Sequence, residues 1–434
     1  MERKQKSGKK PLTAVVANAA GEIFDLQGYA AAGMAGSFFE MLTEDETIEI
    51  PHGTELMYLP DRMPVLYNLD TRQFETLYEN PYSPGEPLHP VSAFNSPGYV
   101  NSFACAYEEG VDAKYLPLFS YGAVGWHGGG FRSAAIQVDM ERRQDLRLMQ
   151  MEKVHAGVRA TKLKMPDNRL RDHLEKCALL YGCPAAKNFF IGRCEAPLPT
   201  SRKCNARCIG CISLQKDLDI SSPQNRIAFT PDPKEIVEVA LFHIRKVEQS
   251  VVSFGQGCEG DPLMAFSAIN PAIQRIRLKT DRGTINMNTN GSRPDILEEL
   301  FNSGLDSIRV SLNSARKECY TAYFRPNGYR FEDVEKSIDL ALQRGKFVAI
   351  NYLNCPGVSD SPEEAAALKT FLARHPVNLI QWRNLNFDPY RYWTIMSEAV
   401  NLGVSIGMGK LLAEIRSRFP DVQYGYFNPP KERF

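Results

Sequence analysis

A chain of 434 residues, 43% of them apolar, holds enough material for two or three globular domains with buried cores. Lys plus Arg and Asp plus Glu both number 51, so the zero net charge leaves no overall electrostatic footprint for nucleic acid or an anionic membrane. No apolar run is long enough to span a bilayer. The ten cysteines, three of them close together, suit a reducing compartment with one metal site, and a cytoplasmic location is expected.

The N-terminal Met-Glu-Arg-Lys-Gln-Lys-Ser-Gly-Lys-Lys is basic, and Leu12 to Ala20 follows it in brief imitation of a signal peptide. Thr13 and Asn18 interrupt that apolar stretch, so a solvated tail followed by a β-strand is the preferred reading. Residues 1–135 then read as a β-rich domain. A hairpin is expected at Glu55–Asn68 and Gln73–Tyr78, turning at Asn68-Leu69-Asp70, and Trp126 to Gly130 gives a loop signal. Residues 136–195 look like a helical connector. Its clearest helix is expected from Pro166 to Tyr181, with Leu170, Leu174, Cys177 and Tyr181 on one face.

Residues 196–434 alternate strand and helix in steps of roughly 30 residues, the pattern of βαβ units on a parallel sheet. Strands are expected near 197–200 and at 251–255, 285–288, 307–312, 347–353 and 379–385. The fold class is therefore α/β: a partial (β/α)6 TIM-like barrel with a β-rich N-terminal domain. Chemistry in such folds sits at the C-terminal strand ends.

After the first strand comes Cys204-Asn-Ala-Arg-Cys208-Ile-Gly-Cys211. Closely spaced thiolates are the usual ligands of iron–sulfur clusters, and three of them leave one iron of a cubane open. A zinc knuckle would want a fourth ligand nearby, yet the next histidine is His243. This motif resembles that of the radical S-adenosylmethionine (radical SAM) superfamily. The resemblance covers about residues 198–425 and implies a [4Fe-4S] cluster on Cys204, Cys208 and Cys211. It also implies S-adenosylmethionine (SAM) on the open iron, cleaved reductively to a 5′-deoxyadenosyl radical that abstracts hydrogen from a substrate. Gly210 stands where that family usually has an aromatic residue.

Gly257-Cys258-Glu259-Gly260-Asp261-Pro262 looks like the family's Gly-Gly-Glu-Pro turn, where small residues and a carboxylate receive the methionine ammonium. Either Asp261 or Glu259 could supply the carboxylate. Asn288 and Asn290, and Ser311 and Asn313, lie at the ends of the third and fourth strands and suit ribose hydroxyls. Arg325 matches the family's arginine for the SAM carboxylate. Each of these also reads as an ordinary turn or surface residue. Asn354 to Asp360 resembles a Pro-Gly-x-x-Asp segment found near the adenine, and Arg383 or Asn384 is a candidate substrate contact. Cys177, Cys183 and Cys194 could carry an auxiliary cluster with Cys258 as fourth ligand, although Cys177 also fits an apolar helix face. Cys258 is alternatively a catalytic hydrogen-atom donor.

The expected partners are a small-molecule or peptide substrate and a reduced ferredoxin or flavodoxin as electron donor, with no membrane. The N-terminal domain, through Trp126, His127 and Phe131, is a candidate for gating the substrate. The rival readings are an electron-transfer or cluster-carrier protein and a structural zinc protein.

Overall fold

The computed structural model describes residues 10–141 and 145–434. The basic tail, residues 1–9, lies outside the described residues. By their contacts the described residues form two compact units: those within 10–139 with 353–368 and 383–418, and those within 140–352 with 369–382 and 419–434. The helices expected as a connector thus cluster with the parallel sheet, and two stretches expected within the barrel segment cluster with the N-terminal strands. Among the described residues no helix is long and apolar enough to cross a membrane.

The first unit is built on a 13-stranded sheet whose described pairings are antiparallel, starting with the strand Thr13–Ala17. The expected hairpin forms only from the second half of its first arm, Arg62–Asn68 pairing with Gln73–Thr76 and Asn68 lying opposite Gln73, whereas Glu55–Tyr58 is a separate strand paired with His89–Phe94. The loop signal at Trp126–Gly130 proves to be a hairpin turn: His127 faces Gly130 across Gly128 and Gly129, both at positive φ. A two-residue turn of this kind needs two left-handed positions, which glycine adopts without steric cost. The stretch 383–418 is tied to the strand Arg62–Asn68 by a buried ion pair. Arg62, only 2% exposed, reaches Asp388 at 2.8 Å and Glu109 at 2.8 Å, and Tyr107 donates its hydroxyl to Asp388 at 2.6 Å.

The second unit carries a seven-stranded parallel sheet. In order its strands are Glu195–Pro197, Val251–Phe254, Thr284–Thr289, Ser307–Leu312, Phe347–Asn354, Leu379–Asn384 and Gln423–Gly425. The six expected strands are present. The seventh has three residues, too few for a periodicity to show in sequence. Register sets the faces. Val252, Ile285, Met287, Ile308, Val310, Val348 and Ile350 form an apolar side, fully buried. The alternate residues are polar: Ser253 pairs with Asn286, Asn286 with Ser307, Asn288 with Arg309, and Ser311 with Asn351.

Upstream, the helices Met151–Lys164, Arg169–Leu179 and Pro184–Ile191 pack on one another. The middle helix starts one turn later than Pro166, because Asn168 caps it through the Arg171 amide. Leu170, Leu174 and Cys177 are buried as expected, whereas Tyr181 lies past the helix end.

Candidate active site at the strand ends of the parallel sheet

Cys204, Cys208 and Cys211 lie on the long connection between the strand Glu195–Pro197 and the helix Pro233–Lys246. Backbone bonds fix this loop. Arg207 donates to the Phe324 carbonyl at 2.9 Å, Ile209 to the Tyr323 carbonyl at 3.1 Å, and the Asn327 amide to the Asn205 carbonyl at 2.8 Å. Tyr320 and Phe324, stacked with centroids 4.4 Å apart, stand with Tyr323 beside Cys208. Desolvation in this setting pushes the Cys204 thiol up to about 12 and raises the Cys208 thiol well above its ordinary value. The Arg226 guanidinium approaches Cys211 Sγ at 3.5 Å.

The turn after the second strand is locked to that loop. One carboxylate oxygen of Glu259 accepts from the amides of Thr200 and Ser201, both at 2.7 Å, and the other from Gly255 and Gln256 at 2.7 and 2.8 Å. Asp261 accepts from the Leu263 amide, the Thr289 hydroxyl and the Asn290 amide. Burial dominates at both and raises Glu259 to about 7 and Asp261 to about 6. The two carboxylates proposed as alternatives for one role thus have different partners: Glu259 joins the turn to the start of the cysteine loop, and Asp261 joins it to the third strand end. Gly260 is the contact point. Its amide donates to the Ser201 carbonyl at 2.6 Å, and a Cβ there would sit 2.0 Å from the Lys203 oxygen.

Next to these turns lies the polar face. Ser307 donates to Asn286, Asn286 to Asn288 and Ser253, and Asn428 to Glu195 and Ser253. Two oxygens on this face remain without a hydrogen bond among the described residues, Asn351 Oδ1 and Gln381 Oε1, both buried. Gln381 shares the side of Asn351 because its neighbour Trp382 meets Tyr352 on the apolar side, ring centroids 5.4 Å apart.

Asn288 and Ser311 stand on the polar face, and Ser311 is half-buried. Asn290 instead bonds Asn205 in the cysteine loop at 2.8 Å, and Asn313 donates to the Cys319 carbonyl at 3.0 Å. Arg325 ends the helix Lys317–Phe324 in a left-handed conformation, with its guanidinium 3.8 Å from Asp217. In the first unit, Asn384 is taken up by the backbone of Asn101 and Tyr99 at 2.8 and 2.9 Å. Asp360 receives the Gly357 amide and the Ser405 hydroxyl, both at 2.6 Å. Trp126 and Phe131 meet edge to face at 4.8 Å over buried Val15, Ala17 and Val124, and His127 lies 3.4 Å from Glu44.

The remaining cysteines divide. Cys258 Sγ lies 3.4 Å from His173 Nε2, which lies 3.5 Å from Cys177 Sγ. The hydrogen bond from Cys258 is the main reason the Cys177 thiol falls to about 5. Cys183 caps the next helix, and Cys194 offers its carbonyl to His243. His173 was missed in the sequence, although its spacing of four residues before Cys177 on a helix was a usable signal.

The cysteine loop fits an iron–sulfur cluster by its chemistry. Three thiols gather there beside an arginine, burial favours the protonated form of Cys204 and Cys208, and a metal bound there would hold all three as thiolates. A single tetrahedral zinc, with sulfurs at about 2.3 Å, would draw its ligands to about 3.8 Å from one another. Cys204, Cys208 and Cys211 are not all within 4.8 Å of each other; among the described residues only His173, Cys177 and Cys258 form such a group.

Residues 198–368 match the family model described as the radical SAM superfamily. The chain is 26% identical over 223 residues to the GTP 3′,8-cyclase of Chlorobaculum tepidum, covering 51% of this chain and 60% of that protein. It is 27% identical over 179 residues to the GTP 3′,8-cyclase of Heliobacterium modesticaldum, covering 41% of this chain and 50% of that one. The chain therefore spans about half to three-fifths of the length of these curated relatives. Among solved structures, a radical SAM methyltransferase from Sphaerobacter thermophilus is similar over 53% of this chain and 66% of its own, with 15% identity and a TM-score of 0.38. The hydrogenase maturase HydG from Carboxydothermus hydrogenoformans is similar over 65% and 71%, with 17% identity and a TM-score of 0.38. Over residues 198–368, and so over less than half of its length, the chain is similar to the radical SAM superfamily, a class of enzymes whose cofactors are a [4Fe-4S] cluster and S-adenosylmethionine.

Proposed function

We propose that this protein binds a [4Fe-4S] cluster through Cys204, Cys208 and Cys211 and uses it to cleave SAM reductively, starting hydrogen abstraction from a small polar substrate. The observation that carries the reading is the bolting of the cysteine loop to the glycine turn through Glu259 and Gly260. It places three thiols and a bare backbone turn together at the strand ends. A cluster held by the three cysteines would supply the electron for reductive cleavage of SAM. The residues around it hold and orient. The backbone of Gly257 to Gly260 is the candidate seat for the methionine end of SAM, and Asn288 and Ser311 for its ribose hydroxyls. Glu259, Asp261 and Asn290 position these elements.

Asn351 and Gln381 carry the unanswered acceptors of the polar face. Burying such acceptors without a donor costs about 1–3 kcal/mol each, so a hydroxyl- or amine-bearing ligand fits there better than an apolar one. The curated relatives are named for a reaction on GTP, itself a small polar molecule. A reduced ferredoxin or flavodoxin is the proposed electron donor.

The test is anaerobic reconstitution followed by chemical reduction and addition of SAM. Formation of 5′-deoxyadenosine and methionine is expected, slowly without substrate. An intact, reducible cluster that leaves SAM untouched would instead make the protein an electron carrier.

A further inference from the structure

The geometry points to a second metal site in the sheet-bearing unit, separate from the cysteine loop: a mononuclear divalent zinc or iron held by His173 Nε2, Cys177 Sγ and Cys258 Sγ. His173 and Cys177 are four residues apart on the helix Arg169–Leu179 and so project side by side. Cys258 comes from the turn after the second strand, 85 residues further on. The three ligand atoms all lie within 4.8 Å of one another.

The distances are those a metal would set. With metal–nitrogen and metal–sulfur bonds of about 2.0 and 2.3 Å at a tetrahedral angle, a nitrogen and a sulfur ligand stand about 3.5 Å apart. The observed separations are 3.4 Å to Cys258 and 3.5 Å to Cys177. Ligands on different irons of a cubane would stand farther apart, so this grouping favours one ion over an auxiliary cluster. Cys183, the next thiol along the chain, is outside the group.

Charge and setting agree. Two thiolates and a neutral imidazole balance a divalent ion, and binding releases to solvent whatever thiol proton the pair still carries. Cys177 and Cys258 are buried at 1% and 6% exposure, while His173 is half-buried and lines a cavity of about 460 Å³. Arg169, Lys176 and Arg226 line the same cavity with Asp172, Tyr181 and Phe229. Three protein ligands leave a fourth position for a ligand from that cavity, as catalytic metal sites do. Its basic walls suit an anionic group. Arg226 also touches Cys211, so the cavity runs from this site to the edge of the cysteine loop. Cys258 is then a ligand, not a donor of hydrogen atoms.

The experiment uses the full chain with Cys204, Cys208 and Cys211 all replaced by Ser, so that metal at the loop is removed from the measurement. Elemental analysis should find about one equivalent of zinc or iron and no acid-labile sulfide. Adding His173→Ala or Cys258→Ser should bring that metal to background; His173 is half-buried, and circular dichroism is the check that its variant stays folded. Cobalt added to the metal-stripped triple variant should give thiolate-to-cobalt absorption that Cys258→Ser abolishes. Absence of metal from the triple variant, metal unaffected by His173→Ala, or sulfide with several irons dependent on Cys258 would each overturn the proposal. None of these outcomes touches the cluster reading, which rests on the wild-type loop.

Discussion

The carboxylate of Glu259 meets the backbone amide of Thr200 at 2.7 Å across 59 residues of sequence, and its other oxygen takes two amides of its own turn. This side chain is the bracket between the first two strand ends. Glu259→Gln is therefore not a conservative change. The new NH2 would face backbone donors that now point at a carboxylate, stranding at least one of them at about 1–3 kcal/mol. A lower urea midpoint and reduced iron incorporation are expected together. Wild-type stability with normal iron would show that the bracket does not matter.

Cys204→Ser, Cys208→Ser and Cys211→Ser should each remove the visible absorbance of the anaerobically reconstituted protein, since an alcohol does not replace a thiolate on iron. Full iron and sulfide in all three variants would refute the ligand assignment. Gly260→Ala should behave like them despite keeping every thiol. Its new Cβ would stand 2.0 Å from the Lys203 oxygen and push the loop away, and iron content measures the displacement.

Much of this site is legible in the sequence. The six strands follow from periodicity and the three cysteines stand out by their spacing, because parallel strands and ligand geometry impose short-range patterns, while the turn at Gly257 to Pro262 is singled out by its resemblance to a family motif. What stays hidden depends on partners far along the chain. Glu259 and Asp261 look interchangeable until Thr200, Ser201 and Asn290 are brought beside them. Asn384 looks like a substrate contact until Asn101 claims it, 283 residues away. The pairing of Arg62 with Asp388 leaves no local trace at all.

The buried carboxylates also predict a pH dependence of the metal-free chain. Burial raises Glu259 to about 7 and Asp261 to about 6, from ordinary values of 4.5 and 3.8. The folded state thus binds protons more tightly than the unfolded chain. Their contribution to stability is full below about pH 4 and is lost as pH rises through 6 and 7. Urea midpoints should fall between pH 5 and pH 8, with a shallower fall in Asp261→Asn. An identical slope in that variant would assign the effect to other groups.

The Arg62–Asp388 pair predicts the largest effect on stability. Asp388→Asn keeps the shape but leaves the guanidinium, 2% exposed, without its buried counter-charge. Glu109 still pairs with Arg62, at 2.8 Å, but its side chain is 19% exposed and it also serves Arg391. Breaking a buried pair on one side costs about 3–5 kcal/mol, more than most single substitutions. Tyr107 would meanwhile exchange a charged acceptor for a neutral one. Replacing both members, Arg62→Met with Asp388→Leu, removes the stranded charge and should recover part of the loss. Chemical denaturation of the two variants decides the matter. If the single variant matched wild type, or the double variant fell well below the single one, the pair would not be what secures residues 383–418 to the N-terminal strands.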